Sequence, residues 1–356
     1  KGERPIQGNF DWWVVANVLS DALAGAGRHK DAEPVLVDAL LFAVTAADKD
    51  IAELRRADNL VEQKRVAEAV ALLQKYNETR VGYAELARVN FKLGDLHRSL
   101  KAYAEALRYY ALAAENPKAD AGLRYRARFN IAVCHRQRLE YSLAARKFAE
   151  AAAIGTSDAE RADAGLQGGE ALRSGNEMAA AIALYQSVAE AYPGLPQGEE
   201  ARRWQARTLF ESGNYAGAVA AYDAYIAAYP KGKARYLDTV WLERGVALRD
   251  GGQLEAALKS FKTLAEMFKE STDVVPRALE EGYKTALVMG AADKVTLMTS
   301  RLTADFKDTP YYPRALYWKT YVAFAKCRHP EAEQGAEEFL GRYARTDEGA
   351  AVSVSF

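Results

Sequence analysis

Residues 201–230 have the sequence ARRWQARTLFESGNYAGAVAAYDAYIAAYP, and this stretch decides the fold. Its second half carries apolar side chains at offsets 0, 3, 4, 7, 10, 11 and 14 from Tyr215. This spacing predicts one apolar face on an α-helix of about four turns. The Gly213-Asn214 pair before the helix predicts a turn, because both residue types tolerate the left-handed backbone conformation. Pro230 marks the end of the helix, since proline cannot continue a helix interior.

The same offsets recur along the chain at a regular period. Close copies begin at residues 178 and 254, and looser copies begin at 66, 96 and 141. Copies at 29 and 329 carry a glutamate in the stripe, and the copy near 295 is the weakest match. With the copy at 215 there are nine starts, whose eight intervals span 300 residues, a mean period of 37.5. That length accommodates a helix, a tight turn, a second helix and a loop, so each period predicts one helical hairpin.

The pattern of residues 201–230 resembles the tetratricopeptide repeat. A first helix with a small central residue, here Ala206, is followed by Gly-Asn-Tyr, by spaced alanine and tyrosine, and by a closing proline. Two departures follow the turn in other copies, where Met178 and Leu254 replace the aromatic residue. A third is Arg202, which stands where the family often has tryptophan.

The resemblance covers residues 10–345 and leaves an N-terminal extension at 1–9 and a C-terminal tail at 346–356. It implies an all-α, right-handed superhelical solenoid of about nine TPR-like helical hairpins. First helices would line its concave groove, which would hold a protein or peptide partner. The resemblance also implies that the end hairpins could stack on further protein or on a second copy.

The Tyr-Pro endings of two copies, at residues 192–193 and 229–230, and the sequence ALYW at residues 315–318 have a narrower likeness. They resemble the TPR proteins of bacterial cell envelopes, including outer-membrane assembly lipoproteins and partners of the Tol-Pal system. This likeness implies a periplasmic or envelope-associated protein, with a cytoplasmic location as the alternative.

Composition narrows the classes of function. The 356 residues include 48 basic and 48 acidic ones, so the net charge gives no long-range attraction to nucleic acid. No apolar run is long enough to predict a membrane span. The four histidines lack metal-ligand spacing, and no phosphate-loop or nucleophile motif occurs. We therefore expect no enzyme activity, no metal and no cofactor.

Cys134 and Cys327 are 193 residues apart and are predicted to be two small buried thiols rather than a disulfide.

Arginines cluster in the predicted first helix of the fourth hairpin. Arg126, Asn130 and Arg136 are the candidates there for binding a carboxylate or an acidic peptide, because arginine binds carboxylates in bidentate fashion. The alternative is an ordinary charged helix surface.

Arg203, Trp204 and Arg207 form a second candidate group, in the first helix of the sixth hairpin. A tryptophan flanked by arginines has the composition of an interface hot spot. The alternative is that Trp204 packs against the next hairpin, since aromatic residues commonly fill the space between repeats.

Trp12 and Trp13, which follow Phe10 and Asp11, form the third group. Adjacent residues on a helix point about 100° apart, so the two indole rings cannot share one narrow buried stripe. One ring is expected to pack on the second helix. The other would cover the open end of the array or meet a partner.

Three functions remain open from the sequence. The first is a protein–protein interaction scaffold or adaptor in a multiprotein complex of a bacterial cell envelope. The second is the repeat segment of a larger enzyme, suggested by the absence of an initiator methionine at Lys1 and of a helix-stop signal near Phe356. The third is an RNA-binding helical repeat, which only the arginine cluster supports. The acidic pairs at residues 199–200 and 280–281 are expected to be solvated helix faces.

Overall fold

The structure, a computed structural model, describes residues 12–79, 86–232 and 234–343. Within these ranges all regular secondary structure is helical, and the fold is an all-α helical-repeat solenoid. The expected extension at 1–9 and tail at 346–356 lie outside the described residues. No described helix has the length and apolar character needed to cross a bilayer.

The chain divides into an N-terminal body, residues 1–176, and a C-terminal body, residues 177–356. In the N-terminal body, four hairpins are followed by a single helix. Their bounds are α1 Trp12–Gly25, α2 His29–Phe42, α3 Ala46–Glu62, α4 Val66–Thr79, α5 Leu86–Ser99, α6 Tyr103–Glu115, α7 Ala121–Gln137, α8 Tyr141–Ile154 and α9 Asp158–Ser174.

In the C-terminal body, a single helix precedes four hairpins. The bounds are α10 Met178–Ala191, α11 Pro196–Glu211, α12 Tyr215–Ala228, α13 Leu237–Asp250, α14 Leu254–Met267, α15 Val274–Val288, α16 Ala292–Asp305, α17 Tyr312–Ala325 and α18 His329–Tyr343. Odd-numbered helices are called first helices below, and even-numbered ones second helices.

A left-handed residue lies two positions before every described second helix. These turn residues have φ between 55° and 80° and are Gly27, Lys64, Lys101, Leu139, Asn176, Gly213, Gly252, Gly290 and Cys327. The tight turn therefore needs one left-handed backbone conformation, which glycine adopts without steric cost and other residues adopt with strain. Cys327 is exposed at such a turn, so the prediction that it is buried is wrong, whereas Cys134 is buried; both thiols are free.

Two second helices begin elsewhere than the sequence predicts. The third begins at Tyr103 and not at 96, because Gly94 lies inside α5 and the turn residue is Lys101. The stripe offsets repeat every seven residues, so the apolar pattern alone cannot distinguish a start at 96 from one at 103. The eighth begins at Ala292 rather than 295. The buried Thr299 occupies a stripe position of this helix, and because threonine is polar, the apolar pattern does not show where the helix begins.

Size complementarity sets the packing inside a hairpin. A small residue of the first helix packs opposite a large residue of the second helix, as with Gly245 and Phe261 or Ala206 and Tyr222. The small residue lies seven positions before the turn residue, and the large one lies seven positions after the start of the second helix. In the last hairpin both equivalent residues, Thr320 and Ala336, are small. That difference leaves space between α17 and α18, because a gap in the core closes only where a side chain fills it.

Candidate functional site

A ladder of polar bonds joins neighbouring first helices. In four places, a residue of one first helix bonds to a residue of the next first helix. The earlier residue lies six positions before the turn residue of its own hairpin, and the later one lies nine positions before the turn residue of the next hairpin. The pairs are Asp21–Arg55 at 3.0 Å, Asp58–Lys92, Asp95–Asn130 at 3.3 Å and Arg207–Glu243 at 3.4 Å. Each rung spans one repeat, so the ladder marks the face where a ligand would meet side chains from several hairpins.

The order of charges differs among these four pairs. The aspartate lies on the earlier helix in the three pairs of the N-terminal body, whereas the arginine lies on the earlier helix in Arg207–Glu243 of the C-terminal body. The arginine also comes first in two further pairs, Arg136–Glu170 of the N-terminal body and Arg249–Glu281 of the C-terminal body, each at 2.6 Å.

A cleft of about 410 Å³ opens on the first-helix face of the C-terminal body. We call it the C-body cleft. Most of its lining comes from α11, α13 and α15, with contributions from α12 and the residue before α17. The lining residues are Arg207, Phe210, Tyr222, Thr239, Leu242, Glu243, Val246, Arg249, Arg277, Glu280, Glu281 and Tyr311. Three consecutive hairpins thus contribute to one concavity, and the fourth contributes Tyr311 at its edge.

The most exposed charged groups at the cleft are cations. The side chains of Glu243, Glu280 and Glu281 are 8 to 20% exposed, and that of Arg249 is similarly covered at 21%. The lining residues Arg207 and Arg277 are each 37% exposed. Lys284 and Arg314, which pair with Glu280 beside the lining, are 39% and 45% exposed. We call Arg207, Arg277, Lys284 and Arg314 the rim cations.

Each deep carboxylate is held by a rim or wall cation. Glu243 accepts hydrogen bonds from Arg203 at 2.8 Å and from Arg207. Glu280 lies 3.2 Å from Arg314 and 3.3 Å from Lys284. A guanidinium has five N–H donors, and the partly exposed Arg207 uses its Nε on Glu211 and its Nη1 on Glu243.

Ionisation of the cleft follows from burial and pairing. Burial opposes the charge of Glu281, but Lys284 and Arg249 outweigh it and hold the pKa of that carboxyl below its usual value. Burial raises the pKa of Tyr222, and the nearby charge of Glu243 raises it further. At neutral pH the cleft therefore combines ionised pairs with a neutral phenol.

Apolar side chains share the cleft with these charges. Phe210, Leu242 and Val246 lie in its wall, and Tyr311 lies at the edge that adjoins α17. A cleft with apolar walls and a charged rim can hold an apolar side chain of a ligand while its polar neighbours bond to the rim.

The predicted group Arg203, Trp204 and Arg207 lies at this cleft. Arg207 lines it, and Arg203 bonds to Glu243 in its floor. The half-buried Trp204 donates to Glu200 at 3.3 Å, and the Arg203 guanidinium lies 5.4 Å from its ring centroid. The structure thus brings all three together on α11, and their role in binding stays a prediction.

The predicted group Arg126, Asn130 and Arg136 lies on α7. Its side chains contact two neighbouring first helices, α5 and α9. The guanidinium of Arg126 lies 5.3 Å from the ring of Phe91 in α5, and Asn130 donates to Asp95 of the same helix. Arg136 instead reaches α9, where it donates to Gln167 and Glu170, each at 2.6 Å. These side chains join first helices together, and partner binding by them stays a prediction.

Trp12 and Trp13 lie at the start of α1. Trp12 is exposed, with its ring centroid 6.2 Å from that of Phe42, and Trp13 is half-buried. The neighbouring Phe10 and Asp11 lie outside the described residues.

The sequence prediction missed buried acidic residues inside and outside the cleft. Glu280 of the cleft and Glu199, which does not line it, are buried, so the expectation that the pairs at 199–200 and 280–281 are solvated is wrong for one residue of each pair. The available signal was spacing: Arg207 and Glu243 are 36 residues apart, and Arg249 and Glu281 are 32 apart, each close to one repeat. Among the described residues, no group of three or more acidic, histidine or cysteine side chains is arranged to hold a metal.

Comparisons with known proteins agree with this architecture. Residues 166–233 match the family model of the tetratricopeptide repeat. The structure of the apo form of RapI is similar over 97% of this chain and 99% of its own, with 10% identity and a TM-score of 0.55. The C-terminal part of a TPR repeat-containing protein from Cytophaga hutchinsonii is similar over 74% of this chain and 98% of its own, with 16% identity and a TM-score of 0.48. No curated protein matches the sequence.

Proposed function

We propose that the protein is a non-enzymatic scaffold that holds an extended segment of a partner protein in the C-body cleft. The arrangement of exposed cations above buried, already paired carboxylates carries this proposal. Helical repeats of this kind commonly present such surfaces to other proteins. The proposed role of the cleft is binding, and it involves no catalytic step by the carboxylates, which are paired with neighbouring cations.

The segment that fits best is acidic and carries an apolar side chain. Its carboxylates would accept hydrogen bonds from the rim cations, which are the charge-assisted bonds that contribute most to such interfaces. Its apolar side chain would lie against Phe210, Leu242 and Val246. A basic segment is disfavoured, because it would meet the cations before it could reach the buried carboxylates.

The test needs a variant that changes the rim without disturbing the floor. Arg203 and Arg207 are unsuitable, because both bond to Glu243 and reversing their charge would leave that carboxylate unpaired. Arg277 is suitable, since its ion pair is a 3.7 Å contact with Asp273 one turn away. The matched control is Arg301 on α16, which is similarly exposed and lies 3.9 Å from Asp305 one turn away.

The experiment is an affinity capture from native extract with wild type, Arg277→Glu and Arg301→Glu, quantified by mass spectrometry. Losing a charge-assisted bond of ~1.5–3 kcal/mol lowers affinity by roughly tenfold or more. We expect a stoichiometric partner whose recovery falls with Arg277→Glu and not with Arg301→Glu. Equal recovery with both variants would remove the C-body cleft as the binding site.

The bacterial envelope setting forms part of the proposal and is supported by the Tyr-Pro endings and the ALYW sequence at 315–318. Fractionation of a bacterial source with an antibody to the protein tests it, with recovery in the periplasmic or membrane-associated fraction expected. Recovery in the cytoplasmic fraction alone would contradict this setting and leave the scaffold proposal intact.

RNA binding is the weaker candidate. Its support was the arginine cluster on α7, and there Arg136 already bonds to Glu170 and Gln167. Binding of single-stranded RNA that weakens steeply with added salt would favour this alternative.

A further inference from the structure

The first helix of the chain exposes a face that every later first helix buries. In the eight later first helices, the residue twelve positions before the turn residue is at most 1% exposed, as with Ala127, Val240 and Ala315. In α1 the equivalent residue, Val15, is 46% exposed, and Leu19 is exposed on the same side. Ala127, Val240 and Ala315 share core clusters with residues of the preceding second helix, and among the described residues no such helix precedes α1.

The last described second helix, α18, leaves partly exposed a position that the earlier second helices bury. In earlier second helices the residue ten positions after the start is buried, as with Tyr225 and Leu302, which share core clusters with Val240 and Ala315 of the following first helix. In α18 the equivalent Phe339 is only half-buried. The position that receives the next first helix in earlier hairpins is therefore not filled at α18 by any residue that the structure describes.

An apolar groove marks that open position. It lies between α17 and α18, has a volume of about 650 Å³ and is lined in part by Tyr321, Phe324, Phe339 and Leu340. Because Thr320 and Ala336 are both small, no side chain of the hairpin fills it. Tyr321, Phe324 and Leu340 are exposed.

The ladder positions of the first and last described hairpins match each other in chemistry. In α3, α5, α7, α9, α13 and α15 the residue nine before a turn residue bonds to the residue six or three before the previous turn residue, as in Glu243 with Arg207 and Glu281 with Arg249. In α17 the equivalent residue is Trp318, which packs against a core cluster. In α1 the residue nine before the turn residue is the exposed Val18, and in α17 the residues six and three before the turn residue are Tyr321 and Phe324. Polar partners meet at most of the internal positions, whereas the first and last described hairpins carry apolar side chains at the corresponding positions.

We propose that the protein self-associates head to tail, with α1 of one copy seated in the α17–α18 groove of a second copy. The contact continues the interface that each first helix makes with the preceding hairpin. It places Val15 on Phe339 and Val18 on Tyr321 and Phe324. Asp21 is the only charged residue of α1, so the helix enters an apolar groove at little desolvation cost. The contact joins unlike surfaces, so every copy keeps one free face of each kind and assembly can continue beyond two copies, as a ring or an open chain.

Complementary blocking variants of the full chain test this geometry. Val15→Glu/Val18→Glu blocks the α1 face, and Phe324→Glu/Leu340→Glu blocks the groove. All four side chains are exposed, so the hairpins keep their cores. The matched control is Val288→Glu/Leu297→Glu, which changes two equally exposed apolar residues of α15 and α16. Circular dichroism checks that each variant remains helical.

Sedimentation velocity from about 1 to about 200 µM measures association. We expect the mass of wild type and of the control to rise past that of a dimer, and each blocked variant to stay monomeric. An equimolar mixture of the two blocked variants should form a heterodimer and nothing larger, since each copy retains one usable face. A monomeric wild type would overturn the proposal, because the faces would then be covered by the chain's own ends or kept for another protein. Dimers of a singly blocked variant would also overturn it, since they require contact between like ends.

Discussion

Gly245 of α13 lies directly against the ring of Phe261 in α14. A Cβ atom added to Gly245 would lie 2.4 Å from Cε1 of that ring and 2.7 Å from Cζ. Phe261 is fully buried, so its ring has no space into which to retreat. The absence of a side chain at position 245 therefore sets how closely the two helices of this hairpin approach.

Replacing Gly245 with alanine should destabilise the protein despite the better helix propensity of alanine. The added methyl group overpacks a closed core, which typically costs ~1–3 kcal/mol in the free energy of unfolding. Urea denaturation measures the loss. The double variant Gly245→Ala/Phe261→Leu should recover part of it, because the smaller side chain restores the space.

Gly341→Ala in α18 is the control for this substitution. Nothing lies within 4 Å of an added Cβ there, so alanine should be neutral or stabilise by up to ~1 kcal/mol. A Gly245→Ala protein as stable as the Gly341→Ala protein would contradict the close-packing argument.

The turn residues give the opposite kind of prediction. Leu139 has φ of 63° and is 69% exposed, so it contributes strain and little buried surface. Replacing it with glycine should raise the free energy of unfolding by ~0.5–1 kcal/mol, because relief of the left-handed strain exceeds the entropy cost of glycine. The reverse change, Gly252→Ala at φ of 80°, should lower it by ~1 kcal/mol. Thermal unfolding of both variants tests these two predictions. A loss of stability in Leu139→Gly would refute the strain argument.

The buried carboxylate of Glu199 joins three segments of the C-terminal body. It accepts hydrogen bonds from the hydroxyl of Tyr225 in α12 and, at 2.6 Å, from the backbone N–H of Arg235 before α13. Glu199→Ala should cost ~1–3 kcal/mol, because it leaves the buried Tyr225 hydroxyl without its acceptor and removes the acceptor of the partly buried Arg235 N–H. The neighbouring Glu200→Ala serves as the control, since Glu200 is less buried and accepts one 3.3 Å bond from Trp204. Equal unfolding midpoints for the two variants would show that the Glu199 network does not stabilise the fold.

The apolar stripes predict the helical hairpins because burial of one face per helix imposes the same spacing in every repeat. They do not by themselves fix where a helix begins, because the stripe repeats every seven residues. At α6 the turn residue is Lys101, and Gly94, which looks like a turn signal, instead makes room for Tyr110: an added Cβ would lie 2.6 Å from its ring. Glycine thus has two uses in this fold, and sequence alone does not separate them.

The candidate site was harder to predict than the fold. Arg203 and Arg207 were identified from their own helix, but their carboxylate partner, Glu243, lies one repeat away. Whether an arginine faces a ligand or a neighbouring helix depends on which side chain the next repeat places opposite it. A search for opposite charges separated by one repeat length would have identified the ladder.

His97 provides a prediction about pH. It is buried in α5 and stacks on Tyr109 of α6, with ring centroids 5.3 Å apart and an interplanar angle of 13°. Burial lowers its pKa, and the charge of Glu105 only partly opposes this. The unfolded chain, with a histidine pKa of about 6.5, therefore binds the proton more readily than the folded protein. Stability should be complete above that pH and should fall as the pH drops through it toward the folded pKa.

His97→Phe keeps an aromatic ring on Tyr109 and removes the titrating group. We expect the wild-type free energy of unfolding to fall between pH 7.5 and 5.5, and we expect a smaller fall in this variant. Urea denaturation at a series of pH values measures both slopes. Replacing the exposed His329 with phenylalanine is the control and should leave the wild-type slope in place. Because the carboxylates titrate mainly below this range, a variant slope equal to that of wild type would mean that His97 binds its proton equally well in the folded and unfolded states.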